Sequence, residues 1–421
     1  LYNIVDSYFV AKLSEDAMTA LSLVYPAQNL LTAVAVGFGV GVNAMISFYL
    51  GAQNQEKADK TATQGMVLGV LHGVLLMLLF LCGMNWFLGM FTKSDAVRAL
   101  GMEYSNVVFL FSAIVTGGIT LEKIFQAVGR MRATMVSMIA GFVTNIVLDP
   151  LLIFGIGPFP KMGVAGAALA TVIARYIEAL IVIIWAHMHR AKNRYLEGAY
   201  TGFGIPFAEL KAILVKGFPL MMNEVMWAAG MTTVTQCYSV RGLDVVAGLN
   251  IASTITNLFN IVYLQLGSCI SIVVGQYLGA GKLKEAKDAD NKMIVFSVFC
   301  CVIMAALMFV VGGFFPGIYN TSEEIKGLAT RFIAVSAIIM PFCAFSHASY
   351  FTLRSGGKTV VTFLFDSVFT WVIVVPAAYL LAHFTGLGIV SIYFLVQGTE
   401  MIKVIIGYYM VKSNVWVVQM V

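Results

Sequence analysis

One segment of this chain places two polar side chains and a proline at a spacing that could bind a cation. Asn145 and Asp149 are four residues apart, so in a helix they lie on one face. Pro150 lacks an N–H and disfavours helical geometry at the preceding residue, which leaves the carbonyl near Ile146 without its usual donor. Such oxygen ligands suit a hard cation. The carboxyl group could instead take up a proton, or Asp149 could simply cap a kinked helix.

Two other polar residues lie in apolar runs of the N-terminal half. Asp6 has otherwise apolar neighbours, so a carboxylate there would be costly unless it is paired or protonated. An interfacial helix cap is the alternative for Asp6. Thr171 offers a hydroxyl among small residues, and its pattern alone favours helix packing.

The C-terminal half carries two candidates of the same kind. Glu224 is the acid of an apolar run, and an acid in a membrane span is a candidate site. Met222 and Met226 beside it could form an adaptable apolar wall. His347 could relay protons, or it could be a histidine whose hydrogen bonds are satisfied within its helix.

The composition indicates that these residues lie in a membrane protein. Of the 421 residues, 60% are hydrophobic and only 11% are charged, which is more apolar surface than a soluble protein could bury. A membrane-spanning helix needs about 20 apolar residues. Residues 1–13 are shorter than that, so we interpret them as the end of a first helix whose start is missing. The other runs predict eleven spans, for a total of twelve, near 17–50 (with a preceding turn included), 62–90, 97–127, 132–156, 163–189, 209–239, 245–279, 291–317, 325–353, 359–383 and 388–411.

The chain also repeats itself. Tyr49-Leu-Gly-Ala recurs as Tyr277-Leu-Gly-Ala, an offset of 228 residues, each time at the end of an apolar run. Six spans per half is an even number, so the two repeats should be parallel. We therefore predict an all-α membrane protein with an N-lobe over 1–189, a cytoplasmic linker over 190–208 and a C-lobe over 209–421.

The loop charges predict an orientation. If the N-terminus is cytoplasmic, sixteen Lys and Arg residues lie on the cytoplasmic side and seven on the other, which supports cytoplasmic termini. Charges split among short loops are a poor match to nucleic-acid binding. Inside the spans, Arg175 with Glu178 and Glu400 with Lys403 are interpreted as self-neutralising pairs three residues apart.

Familiar catalytic patterns are missing from the sequence. Ser355-Gly-Gly-Lys-Thr359 resembles the end of a phosphate-binding loop, but Thr352 stands where the first glycine is required and no strand precedes it. We find no metalloprotease, serine-hydrolase or zinc pattern. We therefore expect neither an enzyme nor an organic cofactor.

At this point the chain resembles the multidrug and toxic compound extrusion (MATE) family over essentially its whole length. The resemblance implies twelve helices in two lobes that form a V, and the export of organic cations in exchange for protons or sodium. It is carried by Leu1-Tyr-Asn-Ile-Val-Asp6, the Gly51-Ala loop, Asn145-x-x-x-Asp149-Pro150, Gly163-Val-x-Gly-Ala-Ala-x-Ala-Thr171 and Gly217-x-Pro219 followed by Glu224.

The resemblance also implies roles for residues. In the branch with DNA-damage-inducible and archaeal members, an N-lobe site binds the coupling cation, and its motif falls on Asp6, Asn145, Asp149 and Thr171. These four would be the ligands if the ion is Na⁺. In the norfloxacin-resistance branch the C-lobe carries two acids: Glu224 matches the first, but the second is missing here. His347 remains a second C-lobe candidate, and Tyr2, Asn3, Met222 and Met226 are candidates for lining the substrate cavity.

We therefore hypothesise a monomeric antiporter in a prokaryotic inner membrane, which exports amphipathic organic cations in exchange for H⁺ or Na⁺. One rival with the same fold is a flippase for a lipid-linked oligosaccharide, whose cavity should be rich in cationic residues. A second rival is a channel or a membrane-embedded enzyme, which the lack of a filter or catalytic motif disfavours.

Overall fold

The computed structural model describes residues 2–189, 207–319 and 321–417, and the regular secondary structure within them is helical. Most of the predicted linker, residues 190–206, lies outside these ranges. A 3-10 helix (Phe315–Ile318) follows α10, and two π-helical segments (Leu364–Val368 and Thr370–Val374) lie between α12 and α13. The α-helices are α1 (Tyr2–Val10), α2 (Glu15–Gly51), α3 (Gln55–Phe91), α4 (Asp95–Leu110), α5 (Ser112–Ala127), α6 (Met131–Phe154), α7 (Gly163–Met188), α8 (Phe207–Ser239), α9 (Leu243–Gly279), α10 (Leu283–Gly312), α11 (Glu323–Ser355), α12 (Thr359–Phe363), α13 (Val375–Phe384), α14 (Ile389–Gly398) and α15 (Glu400–Lys412).

These helices match the predicted spans. Within the described ranges, nine helical segments are long and apolar enough to cross a membrane, and α4 with α5 makes a tenth if the bent pair is counted as one span. The short α1 and the helix α8 occupy the positions predicted for the first and seventh spans. The prediction of an all-α membrane protein is confirmed.

Two spans differ in detail from the prediction. The expected turn inside 17–50 is wrong, because α2 runs without a break for 37 residues and accommodates Pro26. The fourth span is bent by 50° between α4 and α5. At the start of α5, the Thr116 hydroxyl donates a hydrogen bond of 2.8 Å to the carbonyl of Gly69 on α3. This bond holds α5 against α3, on the far side of the bend from α4.

The chain forms two compact units. The first comprises residues 1–46 and 55–221, and the second comprises residues 47–54 and 222–421. The boundary therefore lies within α8, and the end of α2 belongs to the second unit. The predicted lobe limits at 1–189 and 209–421 are drawn from the sequence repeat and not from these compact units. They stay a prediction.

Close helix packing in the first unit depends on small residues. A Cβ atom at Gly166 on α7 would lie 2.7 Å from the backbone carbon and oxygen of Leu152 on α6, so only glycine allows this approach. Lipid is as apolar as the side chains, and membrane helices therefore associate by tight packing and hydrogen bonds. The contact at Gly166 brings the polar faces of α6 and α7 together.

The second unit is built around α11, which packs against α9 and α10. Asp290 on α10 is buried and accepts a hydrogen bond of 2.5 Å from the hydroxyl of Thr352 on α11. At the end of α13, the Arg241 guanidinium donates to the carbonyl of Ala382 at 2.7 Å. This bond satisfies a carbonyl that has no partner within its own helix.

Candidate functional site

Asp6 is fully buried at the centre of a polar cluster in the first unit. The Tyr104 hydroxyl on α4 donates to Oδ2 of Asp6 at 2.9 Å, and the amide of Asn145 on α6 lies 3.2 Å from Oδ1. The Thr171 hydroxyl on α7 lies 3.1 and 3.0 Å from the two carboxylate oxygens. Donors from three helices therefore converge on one carboxyl group of α1.

Asp149 completes this cluster, which we call the acid cluster and define as Asp6, Asn145, Asp149, Thr171 and Tyr104. Asp149 is fully buried, and its Oδ1 lies 3.3 Å from the same Asn145 amide nitrogen. The Asn145 amide nitrogen therefore lies close to both carboxyl groups. The face of α6 that carries these residues is buried at intervals of three and four, as the sequence spacing predicted.

The hydrogen bonds of the acid cluster do not balance. The Asn145 amide nitrogen is within 3.3 Å of Asp6, Asp149 and Thr171, but it has only two hydrogens to donate. Oδ1 of Asn145 and Oδ2 of Asp149 are buried without a hydrogen-bond partner. Buried polar atoms are nearly always satisfied, so these two oxygens are candidates for contact with a cation or with a proton held by a carboxyl group. An amide oxygen, two carboxyl groups and a hydroxyl fit Na⁺ as well as H⁺.

Sequence reasoning identified four of the five cluster residues and missed Tyr104. Nothing in the pattern around Tyr104 distinguishes it from a tyrosine that packs against lipid or other helices. Its role follows from its burial and from a contact 98 positions away in the sequence. A neighbouring contact was also missed: the Tyr25 hydroxyl on α2 donates to the carbonyl of Asn3 at 2.9 Å, which holds α1 one turn before Asp6.

A cavity of about 210 Å³ lies beside the acid cluster in the first unit. Thr171 reaches both, because it lines the cavity and also contacts Asp6. Tyr2 and Asn3, the substrate-cavity candidates on α1, line this space together with Gln28, Thr32 and Arg175. The cavity walls thus combine aromatic, amide, hydroxyl and charged groups.

The second unit contains a different buried polar group. The ammonium of Lys403 lies 2.8 Å from Asp366 and 4.0 Å from Glu400, so the closest partner is Asp366 rather than the predicted neighbour on the same helix. The Asn223 amide donates to the other oxygen of Asp366 at 3.0 Å. Ser367, in a π-helical segment, donates to the Asn223 side-chain oxygen at 2.8 Å.

The candidates Glu224 and His347 lie in this second unit. Glu224 is half-buried and follows Asn223 on α8. Nδ1 of His347 is 2.9 Å from the carbonyl of Cys343 one turn earlier, and its ring packs against Tyr263. The hydrogen bond supports the interpretation of His347 as a histidine satisfied within its helix.

Met222 and Met226, the remaining candidates, are half-buried on α8. The carbonyl of Met226 accepts a hydrogen bond of 2.9 Å from the indole of Trp371. A role for either methionine in lining a substrate cavity stays a prediction.

Comparison with known proteins identifies relatives among transporters. A family model described as MatE matches residues 1–151 and 219–380. The probable multidrug resistance protein YoeA of Bacillus subtilis is 21% identical over 383 residues, which cover 90% of this chain and 82% of that protein. The multidrug export protein MepA of Staphylococcus aureus is 25% identical over 338 residues, which cover 80% of this chain and 73% of that protein.

Solved structures share the fold. A multidrug resistance MATE family transporter of the MOP superfamily, in an outward-facing conformation, matches with a TM-score of 0.90 at 24% identity. A MOP superfamily transporter from Pyrococcus furiosus, described with a binding pocket of reverse polarity, matches with a TM-score of 0.90 at 23% identity. Each match covers 98% of this chain and 91% of the other.

Proposed function

Because this chain belongs to the MatE family of multidrug efflux transporters and is a membrane transporter rather than an enzyme, we propose that it is an antiporter that exports amphipathic organic cations. The inward flow of H⁺ or Na⁺ drives the export, and the ion binds at Asp6 and Asp149. The observation that carries this proposal is the pair of buried oxygens, Oδ1 of Asn145 and Oδ2 of Asp149, that have no hydrogen-bond partner.

Ion uptake acts on α1 through its hydrogen bonds. Tyr104 and Thr171 donate to a carboxylate at Asp6, and hydrogen bonds to a charged acceptor are about twice as strong as those to a neutral one. A proton or Na⁺ at the acid cluster neutralises that acceptor and weakens the bonds that hold α1. The short helix then rearranges, and because Tyr2 and Asn3 on α1 line the 210 Å³ cavity, the cavity rearranges with it.

Coupling in this scheme is a competition between conformations. The coupling ion stabilises one arrangement of α1, and the exported compound stabilises the other. An ion shifts this equilibrium only by its difference in affinity for the two arrangements. Asn145 and Thr171 contribute to that difference because their oxygens are available as ligands in the arrangement described here.

The flippase alternative receives less support from Arg175 and Lys403, the cations beside the two polar groups described above. A pyrophosphate group needs cationic side chains that are available to it. Arg175 is paired with Glu178 at 2.9 Å, and Lys403 is paired with Asp366 at 2.8 Å. Both cations are already neutralised by a carboxylate of their own unit.

The orientation that we propose in the membrane follows from the loop charges. The excess of Lys and Arg in the predicted cytoplasmic loops supports a cytoplasmic position for both termini. We further propose that the protein works as a monomer in the cytoplasmic membrane of a prokaryote and needs no cofactor other than its coupling ion.

Transport in proteoliposomes tests this function. The uptake of a fluorescent organic cation is followed under an H⁺ gradient and, separately, under a Na⁺ gradient. We expect one gradient to drive transport by the wild type and to have no effect on Asp149→Asn. Asp288→Asn is the matched control, because Asp288 is an exposed acid paired with Lys292 on α10. Transport driven equally well in Asp149→Asn would refute the ion site, and movement of lipid-linked substrates alone would favour the flippase.

A further inference from the structure

Polar side chains continue along α7 beyond the acid cluster. Thr171, Arg175 and Glu178 recur at intervals of four and three residues, so they lie on one face of the helix. At about 1.5 Å per residue, Glu178 is roughly 10 Å further along the helix axis than Thr171. The predicted orientation makes this the cytoplasmic direction.

Two cavities in the first unit lie along this face of α7, and Arg175 borders both of them. The 210 Å³ cavity is bordered by Thr171 at one point and by Arg175 at another. A second cavity of about 20 Å³ is bordered by Arg175, Glu178 and Glu122 of α5. The larger space has room for several water molecules and the smaller for about one, since a water needs roughly 10–15 Å³ measured in this way.

Glu178 is held between two partners. The Tyr2 hydroxyl donates a short hydrogen bond to Oε1, and the Arg175 guanidinium donates to Oε2 at 2.9 Å. The same guanidinium lies 4.5 Å from the centre of the Tyr2 ring. Gly141 on α6 leaves room for this arrangement, because a Cβ there would be 2.4 Å from Cγ of Glu178 and 2.8 Å from the Tyr2 hydroxyl.

The charges of this region favour the exchange of a cation. The region holds three carboxyl groups, those of Asp6, Asp149 and Glu178, and the Arg175 guanidinium is paired with the last of them. The Glu122 carboxylate of α5 lies 3.8 Å from the Lys123 ammonium and accepts a hydrogen bond of 2.7 Å from the Gln126 amide. A cation that moves from the acid cluster to Glu178 stays among carboxyl groups, and its arrival releases Arg175 from the ion pair with Glu178.

From these contacts we infer that Glu178 is a relay site through which the coupling cation passes between the acid cluster and the cytoplasmic end of the first unit. When the cation is H⁺, the proton passes from the acid cluster to water in the larger cavity at Thr171, which contacts Asp6 and lines that cavity. Glu178 then takes up the proton and gives up its ion pair with Arg175, which lines the same cavity. Glu178 then releases the proton through the smaller cavity toward Glu122. Tyr2, Arg175 and Gly141 are positioning residues for Glu178. This inference rests on the proposed antiport.

Two transport assays separate relay from binding. Substrate exchange without an ion gradient requires only the substrate cavity, whereas gradient-driven uptake also requires the ion route. For Glu178→Gln we expect exchange within about twofold of the wild type and gradient-driven uptake reduced by roughly tenfold or more, on the scale of a lost proton-transfer group. Glu178→Asp should recover part of the driven uptake and shift its pH profile.

Two further tests examine whether the loss in Glu178→Gln comes only from a structural defect. Gly141→Ala changes no charge but displaces Glu178, so it should lower driven uptake as Glu178→Gln does. Gly83→Ala on α3 is its control, because a Cβ there meets nothing within 4 Å.

In the double variant Arg175→Gln with Glu178→Gln, no charge is left unpaired. If this double variant restored driven uptake, the pair would be merely structural and the relay would be wrong.

The outcomes distinguish the relay from the antiport itself. If no gradient drives the wild type, or if Asp149→Asn is driven normally, the proposed function fails and the relay with it. If both behave as proposed but Glu178→Gln retains the wild-type driven rate and pH profile, only the relay is overturned.

Discussion

The amide nitrogen of Asn145 lies 3.2 Å from a carboxylate oxygen of Asp6 and 3.3 Å from one of Asp149, so a single side chain bridges two buried acids on different helices. Neither acid could be buried so closely beside the other without a donor, a proton or a cation between them. The bridge therefore joins α1 to α6 at the point where the proposed ion binds.

Replacing Asn145 by leucine tests this bridge. The change removes the donor shared by two carboxyl groups, and we expect it to lower thermal stability by about 1–3 kcal/mol and to abolish gradient-driven transport. Thermal unfolding in detergent and proteoliposome uptake measure the two effects. Thr144→Ala is the control, since Thr144 hydrogen-bonds only within its own helix, to the carbonyl of Ala140. Normal driven transport by Asn145→Leu would contradict the bridge's role.

Tyr104→Phe removes one hydroxyl from the acid cluster without changing the packing of the ring. The lost hydrogen bond to a carboxylate should cost about 1.5–3 kcal/mol of stability and reduce driven transport more than gradient-free exchange. The comparison variant is Tyr379→Phe, whose side chain is exposed in the second unit. Equal effects of the two variants would show that Tyr104 serves packing alone.

Gly166→Ala tests whether close packing of α7 against α6 assembles the acid cluster. The added methyl group meets the backbone of Leu152, which cannot rotate away, so we expect a loss of about 1–3 kcal/mol and a parallel loss of coupling. Gly118→Ala on α5 should be tolerated, because its Cβ would make an ordinary contact of 3.7 Å with Ala179. The melting temperatures of the purified variants provide the comparison.

The buried pair in the second unit should be strongly coupled. Lys403→Met removes the ion-pair partner of the largely buried Asp366, and we expect a loss of about 3–5 kcal/mol. Asp366→Asn combined with Lys403→Met should recover most of that loss. A double-mutant cycle on the unfolding free energies measures the coupling. Additive losses would mean that Lys403 is stabilised chiefly by Glu400 and by the nearby Phe365 and Phe369 rings.

Much of the candidate site could be predicted because its signals are local or familiar. Four-residue spacing places Asn145 and Asp149 on one helix face in any tertiary context. Asp6 is conspicuous as a carboxyl group in an apolar run, and the family resemblance added Thr171. The functional assignment of these residues stays a prediction, although the structure brings all four into contact.

Other features depended on contacts that spacing does not encode. The sequence pairs Lys403 with Glu400, because helix geometry favours residues three or four apart. In the structure Asp366, 37 positions away, is closer to Lys403 because α15 packs beside the π-helical segment that carries it. The same limitation concealed Tyr104.

The sequence by itself determined that this chain is a helical membrane protein, since so many apolar residues can be accommodated only in spans whose backbone bonds are satisfied internally. It also determined which residues share a face within each helix, because that depends on the 3.6-residue period alone. Only the tertiary structure decided which faces meet. That choice depends on where small residues such as Gly141 and Gly166 let backbones approach, and close packing between helices is a property of both surfaces together.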